Sequence, residues 1–203
     1  MRERRPTLPL HVIKIGGSLL PKPSNRSAMD NATKWLAQQS GSINIVIVGG
    51  GQAVDHLRRW QRQFGITEKQ SHFNAIQAMS RNTTRLAQCS YITSVIEDWG
   101  LLTSFVNRNS ANPTTVLFDC LSFIRDVEPI LTGTTLEASW NCTSDSIAAR
   151  IAQLLHADKL ILIKSKAASS GDLPTLQYAN YVDRDFPQIA ADIKSVTFVN
   201  CGS

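Results

Sequence analysis

Short apolar runs alternate with longer amphipathic stretches along this chain, and that alternation predicts a strand–helix repeat. Leu10–Ile15 reads as a strand closed by Gly16-Gly17, with His11, Ile13 and Ile15 on one face and Val12 and Lys14 on the other. Residues 30–39 read as a helix that stops at Gly41. Ile43–Val48 is almost wholly apolar, as a strand buried on both faces of a parallel sheet requires. A helix over 52–63 follows, with Val54, Leu57 and Gln61 on one side and Gly65 closing it. Residues 73–100 form the longest helical pattern, with a break near Ser90. Residues 101–106, 115–118, 160–163 and 196–199 read as further strands. Ile147, Ile151, Leu154 and Leu155 mark a helix over 144–156, for which Thr143 or Ser144 can supply the capping oxygen. Residues 167–175 read as a loop.

Strands alternating with helices predict an α/β fold, a three-layer αβα sandwich around a largely parallel sheet. At 203 residues and 42% hydrophobic content, the chain suffices for one compact domain over 10–203, after a flexible tail over 1–9. No apolar run approaches the roughly 20 residues that span a bilayer, so no membrane partner is expected. Cys89, Cys120, Cys142 and Cys201 are scattered singly, which suits a reducing cytoplasm better than a metal site. A net charge of +5 fits a nucleic-acid binder or an anionic small substrate. The basic residues are dispersed and no aromatic-rich basic face is evident, so nucleic acid is not expected.

In an open parallel sheet, ligands bind beyond the carboxyl ends of the strands. Four features fall there: Gly16-Gly17-Ser18, Gly49-Gly50-Gly51, Thr143-Ser144-Asp145-Ser146 and Lys164. Lys14 is either a strand-end lysine reaching water or a phosphate ligand beside glycine amides. The triple glycine is either a plain tight turn or an anion-binding one at a helix start. It lacks the third glycine of a dinucleotide fingerprint, and no Walker-type loop is present. Asp145 is favoured by the helix dipole alone, or else it aims a lysine or a magnesium ion at reacting phosphates, where Asn141 could assist. His11, His56, His72 and His156 show no spacing for a metal or a triad and read as surface or core-edge residues.

Lys14-Ile15-Gly16-Gly17-Ser18, the triple glycine and Thr143-Ser144-Asp145-Ser146-Ile147-Ala148-Ala149, in this order, resemble the amino acid kinase superfamily. The length, the TSDSIAA segment, Val182-Asp183 and Phe186-Pro187 look most like its methanofuran-biosynthesis kinases, which act on an aminomethylfuran phosphate, and their bacterial relatives. The resemblance implies an ATP-dependent kinase of a small anionic metabolite, with magnesium bridging the ATP phosphates, in a homo-oligomer. It implies that Lys14 touches the transferred phosphoryl group and that Asp145 orients it, with Asn141 in support. Gly16, Gly17, Ser18, Lys164 and Ser165 would hold the nucleotide phosphates. Gly49, Gly50, Gly51, Asp55, Asn141, Thr143 and Ser144 would hold the acceptor. Two departures stand out. Ser165-Lys166-Ala167-Ala168 replaces an Asp-Gly turn, and the second active-site lysine of longer relatives is missing unless Lys164 or Lys166 substitutes. A non-catalytic nucleotide- or anion-binding protein on the same scaffold is the alternative.

Overall fold

The computed structural model describes residues 8–20, 27–108 and 112–202. Most of the expected tail, and its boundary with the domain, lie outside or at the edge of these residues. Leu8 already packs on the core and the Pro9 carbonyl accepts from the Ile43 amide. Among the described residues six parallel strands form one sheet: β1 (Leu10–Ile15), β2 (Ile43–Val48), β3 (Val95–Ile96), β4 (Thr114–Phe118), β5 (Lys159–Lys164) and β6 (Val196–Asn200). Their order across the sheet is β3-β4-β2-β1-β5-β6. Among the described residues seven α-helices join them: α1 (Ser27–Ala37), α2 (Gln52–Phe64), α3 (Glu68–Cys89), α4 (Trp99–Arg108), α5 (Ser144–Leu154), α6 (Leu173–Tyr178) and α7 (Phe186–Ala190).

The pleat of β1 decides where the site can form. Ile13 and Ile15 pack with Ala28, Met29 and Ala32 of α1 on one face. Val12 packs with Ile147 and Ile151 of α5 on the other, and Lys14 shares that side of the strand. Helices thus cover both faces of the sheet, giving the three layers. All six residues of β2 are buried, Asn44 included. The Asn44 amide is tolerated there because it donates to the Gln39 carbonyl and the Thr115 hydroxyl. None of the described helices is long and apolar enough to cross a membrane.

Three expectations need correction. Residues 101–106 are helical, within α4: Leu102 and Val106, one turn apart, are buried while Leu101 is exposed, and the Asp98 carboxylate accepts from the Leu101 amide at 2.8 Å to start the helix. The pattern over 73–100 does break near Ser90, where α3 ends at Cys89, but the chain is helical again only from Trp99, and α3 begins earlier than expected, where Thr67 accepts from the Gln70 amide. The loop over 167–175 is shorter than expected, because Asp172 accepts from the Thr175 amide and α6 opens at Leu173.

Candidate active site

β1 and β5 are neighbours, and each presents a lysine near its carboxyl end to the start of α5. Lys14 Nζ lies 2.8 Å from Asp145 Oδ1, and Lys164 Nζ lies 2.6 Å from Asp145 Oδ2. Lys14 and Asp145 are 5% and 4% exposed, so this is a buried charge cluster. Lys164 Nζ also donates to the Tyr181 carbonyl at 2.8 Å and stands 5.3 Å from the centre of that ring. Two cations share one carboxylate. The cluster carries a surplus positive charge in a place where charge is costly, so an incoming anion would complete it. Burial opposes ionisation of Asp145, but the charges of Lys14 and Lys164 override it and hold the carboxyl below its ordinary range. Burial, then repulsion from Lys14, lowers Lys164 to about 8 against the attraction of Asp145.

The glycine turns lie against each other beside this cluster. A Cβ on Gly17 would fall 2.1 Å from the Gly51 nitrogen, and Gly51 itself has φ of 64°. Only residues without side chains let the two turns approach this closely. The resemblance assigned amide donors to all five glycines, and here it needs correction. The Gly16 amide donates to the Ile163 carbonyl at 2.8 Å and the Gly49 amide to the Ile15 carbonyl at 2.9 Å. Both extend the strand ladders and are spent. The amides of Gly17, Gly50 and Gly51 have no acceptor among the described residues. Those of Ser144 and Asp145, at the start of α5, are likewise unpaired, so five donors remain for a ligand. Ser18 Oγ and Ser165 Oγ are 2.9 Å apart and tie the first turn to the end of β5.

The capping oxygen of α5 comes from neither Thr143 nor Ser144. Asp183 Oδ2 accepts from the amides of Thr143 and Ser146, at 2.9 Å and 3.1 Å, and from the Thr143 hydroxyl at 2.7 Å. Asp183 Oδ1 accepts from the Ser146 hydroxyl and from the Phe186 amide. A carboxylate far along the chain thus fixes the helix start that carries Asp145. Nothing in local spacing announces this residue.

Two hollows lie along this rim, and the larger one contains Asp145 and Lys164 of the cluster. One, of about 230 Å³, lies over the glycine turns and is lined by Gly17, Ser18, Gly50, Gly51, Asp55, Thr143 and Ser144, with His72 and Met79 of α3 in its wall. The other, of about 560 Å³, contains Asn141, Asp145, Lys164 and Tyr181. Arg58 and Trp140 line both, with the Arg58 guanidinium stacked 4.7 Å from the centre of the Trp140 ring. The structure thus brings together Lys14, Asp145, Lys164, Ser18, Ser165, both glycine turns, Thr143 and Ser144. Asn141 lines the larger cleft, and its backbone carbonyl accepts from the Asp185 amide at 3.0 Å. Lys166 is exposed and offers its carbonyl to the Tyr181 hydroxyl, so Lys164 is the lysine that stands with Lys14. His72, read from the sequence as a bystander, is a buried part of the cavity wall.

Fold and site together define a parallel α/β protein with a cationic, amide-rich cleft at the carboxyl edge of its sheet. Residues 9–167 match the model of the amino acid kinase family, and the chain belongs to that family of small-molecule phosphotransferases. It is similar to the [5-(aminomethyl)furan-3-yl]methyl phosphate kinase of Methanocaldococcus jannaschii, 24% identical over 191 residues, covering 94% of this chain and 79% of that one. It is also similar to the acetylglutamate kinase of Gracilaria tenuistipitata var. liui, 25% identical, covering 80% of this chain and 65% of that one. The solved uridylate kinase of Archaeoglobus fulgidus shares its fold, with a TM-score of 0.61 at 20% identity, over 95% of this chain and 91% of that one.

Proposed function

We propose that the protein transfers the γ-phosphoryl group of ATP to a small anionic metabolite, a carboxylate or a phosphate. An aminomethylfuran phosphate of one-carbon metabolism is the leading acceptor. The observation that carries this reading is the Lys14–Asp145–Lys164 cluster, which opens to the larger hollow through Asp145 and Lys164 on the rim that also carries the unpaired amides. Phosphoryl transfer asks a protein chiefly for alignment and for positive charge where negative charge spreads. Lys14 and Lys164 supply the charge, and Asp145 holds the two ammonium groups apart and aimed. The amides of Gly17, Gly50, Gly51, Ser144 and Asp145 orient phosphate oxygens. The nucleotide takes the larger cleft, where Lys164 holds its phosphates, while Ser18, in the wall of the smaller cavity, and Ser165, bonded to it, hold the phosphoryl end that reaches toward the acceptor. The acceptor takes the smaller cavity, with Gly49 shaping the turn and Asp55, Thr143 and Ser144 in its wall; Asn141 supports the junction. An acceptor that is already anionic needs no general base, and none is required of these residues.

The five unpaired amides and the surplus cation suit a polyanion. Among the described residues no group of three or more His, Cys, Asp or Glu could hold a metal. Magnesium is read as an ion carried by the ATP oxygens, where it neutralises phosphate charge. We further place the protein in the cytoplasm, in keeping with the free, buried Cys120, Cys142 and Cys201. We also propose that it self-associates through α2, which buries none of its residues and exposes Trp60 and Phe64 on successive turns.

A panel of small phosphates and carboxylates, assayed for ADP release with ATP and magnesium, tests the main reading. Release that depends on one acceptor class supports it. The replaced turn at Ser165-Lys166-Ala167-Ala168 favours a second reading, a nucleotide-binding protein without transfer. Stabilisation by ATP–magnesium with no acceptor-dependent ADP release would select that one.

A further inference from the structure

Arg58, Trp140 and Thr143 line both hollows, and Arg58 is the cation among them. Lys164 and Arg184 line the larger hollow alone. On α2, Val54, Asp55, Arg58 and Gln61 recur at helical spacing on the face turned to the site, while the exposed Trp60 and Phe64 lie round the helix from them. The Arg58 guanidinium carbon sits 4.7 Å from the centre of the Trp140 ring. Trp140 is itself fixed, because its indole N–H donates to Gln61 Oε1 and its backbone amide donates to Glu68 Oε1, the latter at 2.7 Å. A guanidinium over an aromatic face keeps its N–H donors in its own plane, so the stack orients the fork without using it. Among the described residues no hydrogen bond or ion pair engages these donors.

The neighbouring carboxylates do not claim the fork. Asp145 is held by Lys14 and Lys164, Asp183 caps α5, and Glu68 accepts from the Trp140 amide. Asp55, one turn earlier on α2, lines the smaller hollow and makes no ion pair with Arg58. Its charge offsets that of Arg58 in part, so what Arg58 offers an anion is chiefly a set of directed N–H donors. We propose that Arg58 is a catalytic residue that grips the γ-phosphoryl group while it crosses from the larger hollow to the smaller one. This rests on the reading of those hollows as the nucleotide and acceptor sites. As an acceptor oxygen bonds to the γ-phosphorus, the bond from that phosphorus to the β,γ-bridging oxygen breaks, and its electron pair leaves with ADP. Negative charge then spreads over the remaining oxygens of the moving group. Lys164 meets them from the nucleotide side, the amides of Gly17, Gly50 and Gly51 from the acceptor side, and Arg58 at the boundary. A contact made at the boundary strengthens as the group moves, so it acts on kcat rather than on the binding of either substrate.

Three variants test this. Arg58→Met keeps the aliphatic bulk and removes the fork, and Arg58→Lys keeps the charge alone. Arg59→Met, at an exposed position that lines neither hollow, is the control. With ATP–magnesium and [5-(aminomethyl)furan-3-yl]methyl phosphate, Arg58→Met should lower kcat about 10²–10³-fold and leave both KM values within about three-fold. Arg58→Lys should recover less than about ten-fold of that loss, and Arg59→Met should match the wild type. An unchanged kcat in Arg58→Met overturns the proposal and leaves the kinase reading standing. So does a loss confined to one KM, which would make Arg58 a ligand of that substrate alone. Full recovery in Arg58→Lys overturns the role of the fork. A lowered melting temperature with loss of ADP–magnesium binding would mark the arginine as structural and overturn the proposal too. Calorimetry of ADP–magnesium with and without aluminium fluoride, a mimic of the phosphoryl group in transit, needs no acceptor and decides the matter if the wild type does not use this one. The wild type should bind about a hundred-fold more tightly with the fluoride. Arg58→Met should lose most of that gain and bind ADP–magnesium alone as the wild type does. An equal gain in both proteins overturns the proposal, as does no gain in the wild type; acceptor-dependent ADP release judges the kinase reading separately.

Discussion

At the scale of single residues, the account turns on one carboxylate shared by two lysines. Lys14→Ala leaves Asp145 paired with Lys164, so the fold should survive while kcat falls by about 10²–10³, the usual loss for one preorganised transition-state contact. Steady-state kinetics beside a thermal melt checks both halves. Asp145→Asn is a different lesion, because it leaves two buried ammonium groups facing each other. It should cost about 3–5 kcal/mol of stability as well as turnover, measurable by urea denaturation. Lys164 gives the expected pH dependence. Its lowered value of about 8 means that kcat/KM for ATP should fall as pH rises through that point, since the free enzyme loses a phosphate-binding charge. Stability moves the other way. Between about 8 and the ordinary 10.5 the unfolded chain keeps a proton that the folded chain has released, so the fold gains stability as pH rises through that window. A flat kcat/KM profile across pH 7 to 10 would remove Lys164 from nucleotide binding.

At the scale of elements, the site is a set of strand ends and helix starts held in register. Gly17→Ala would drive a Cβ into the backbone of Gly51 and force the two glycine turns apart, with loss of ATP–magnesium stabilisation in a thermal-shift assay. Gly41→Ala, where an added Cβ meets nothing within 4 Å, should leave that stabilisation intact. Strand ends and glycine turns were legible because their signals are local: β-branched runs stopped by glycine, at β1 and β2 to the residue. The start of α3 was written locally, in Thr67 and Gln70, but was missed, and residues 101–106 misled because a short, largely apolar stretch fits strand or helix until its cap at Asp98 is weighed. Asp183 was marked by the resemblance, but what it does was beyond reach. Its role depends on a contact with Thr143 and Ser146 that only the folded chain creates. So was the spending of the Gly16 and Gly49 amides, which depends on which strands become neighbours.

At the scale of the whole molecule, the sheet order places β1 between β2 and β5, and that alone gathers both glycine turns and both lysines at one rim. α2 should be the face through which copies associate. Light scattering should find an oligomer for the wild type and a smaller species for Trp60→Glu combined with Phe64→Glu, with melting unchanged when referred to the same association state. The most direct test of the central claim is phosphoryl transfer itself, followed by ³¹P NMR with ATP–magnesium and an aminomethylfuran phosphate or its benzyl analogue. The account predicts paired growth of ADP and diphosphate-ester signals with the wild type, and their near-absence with Lys14→Ala. Equal transfer by the two proteins would contradict it.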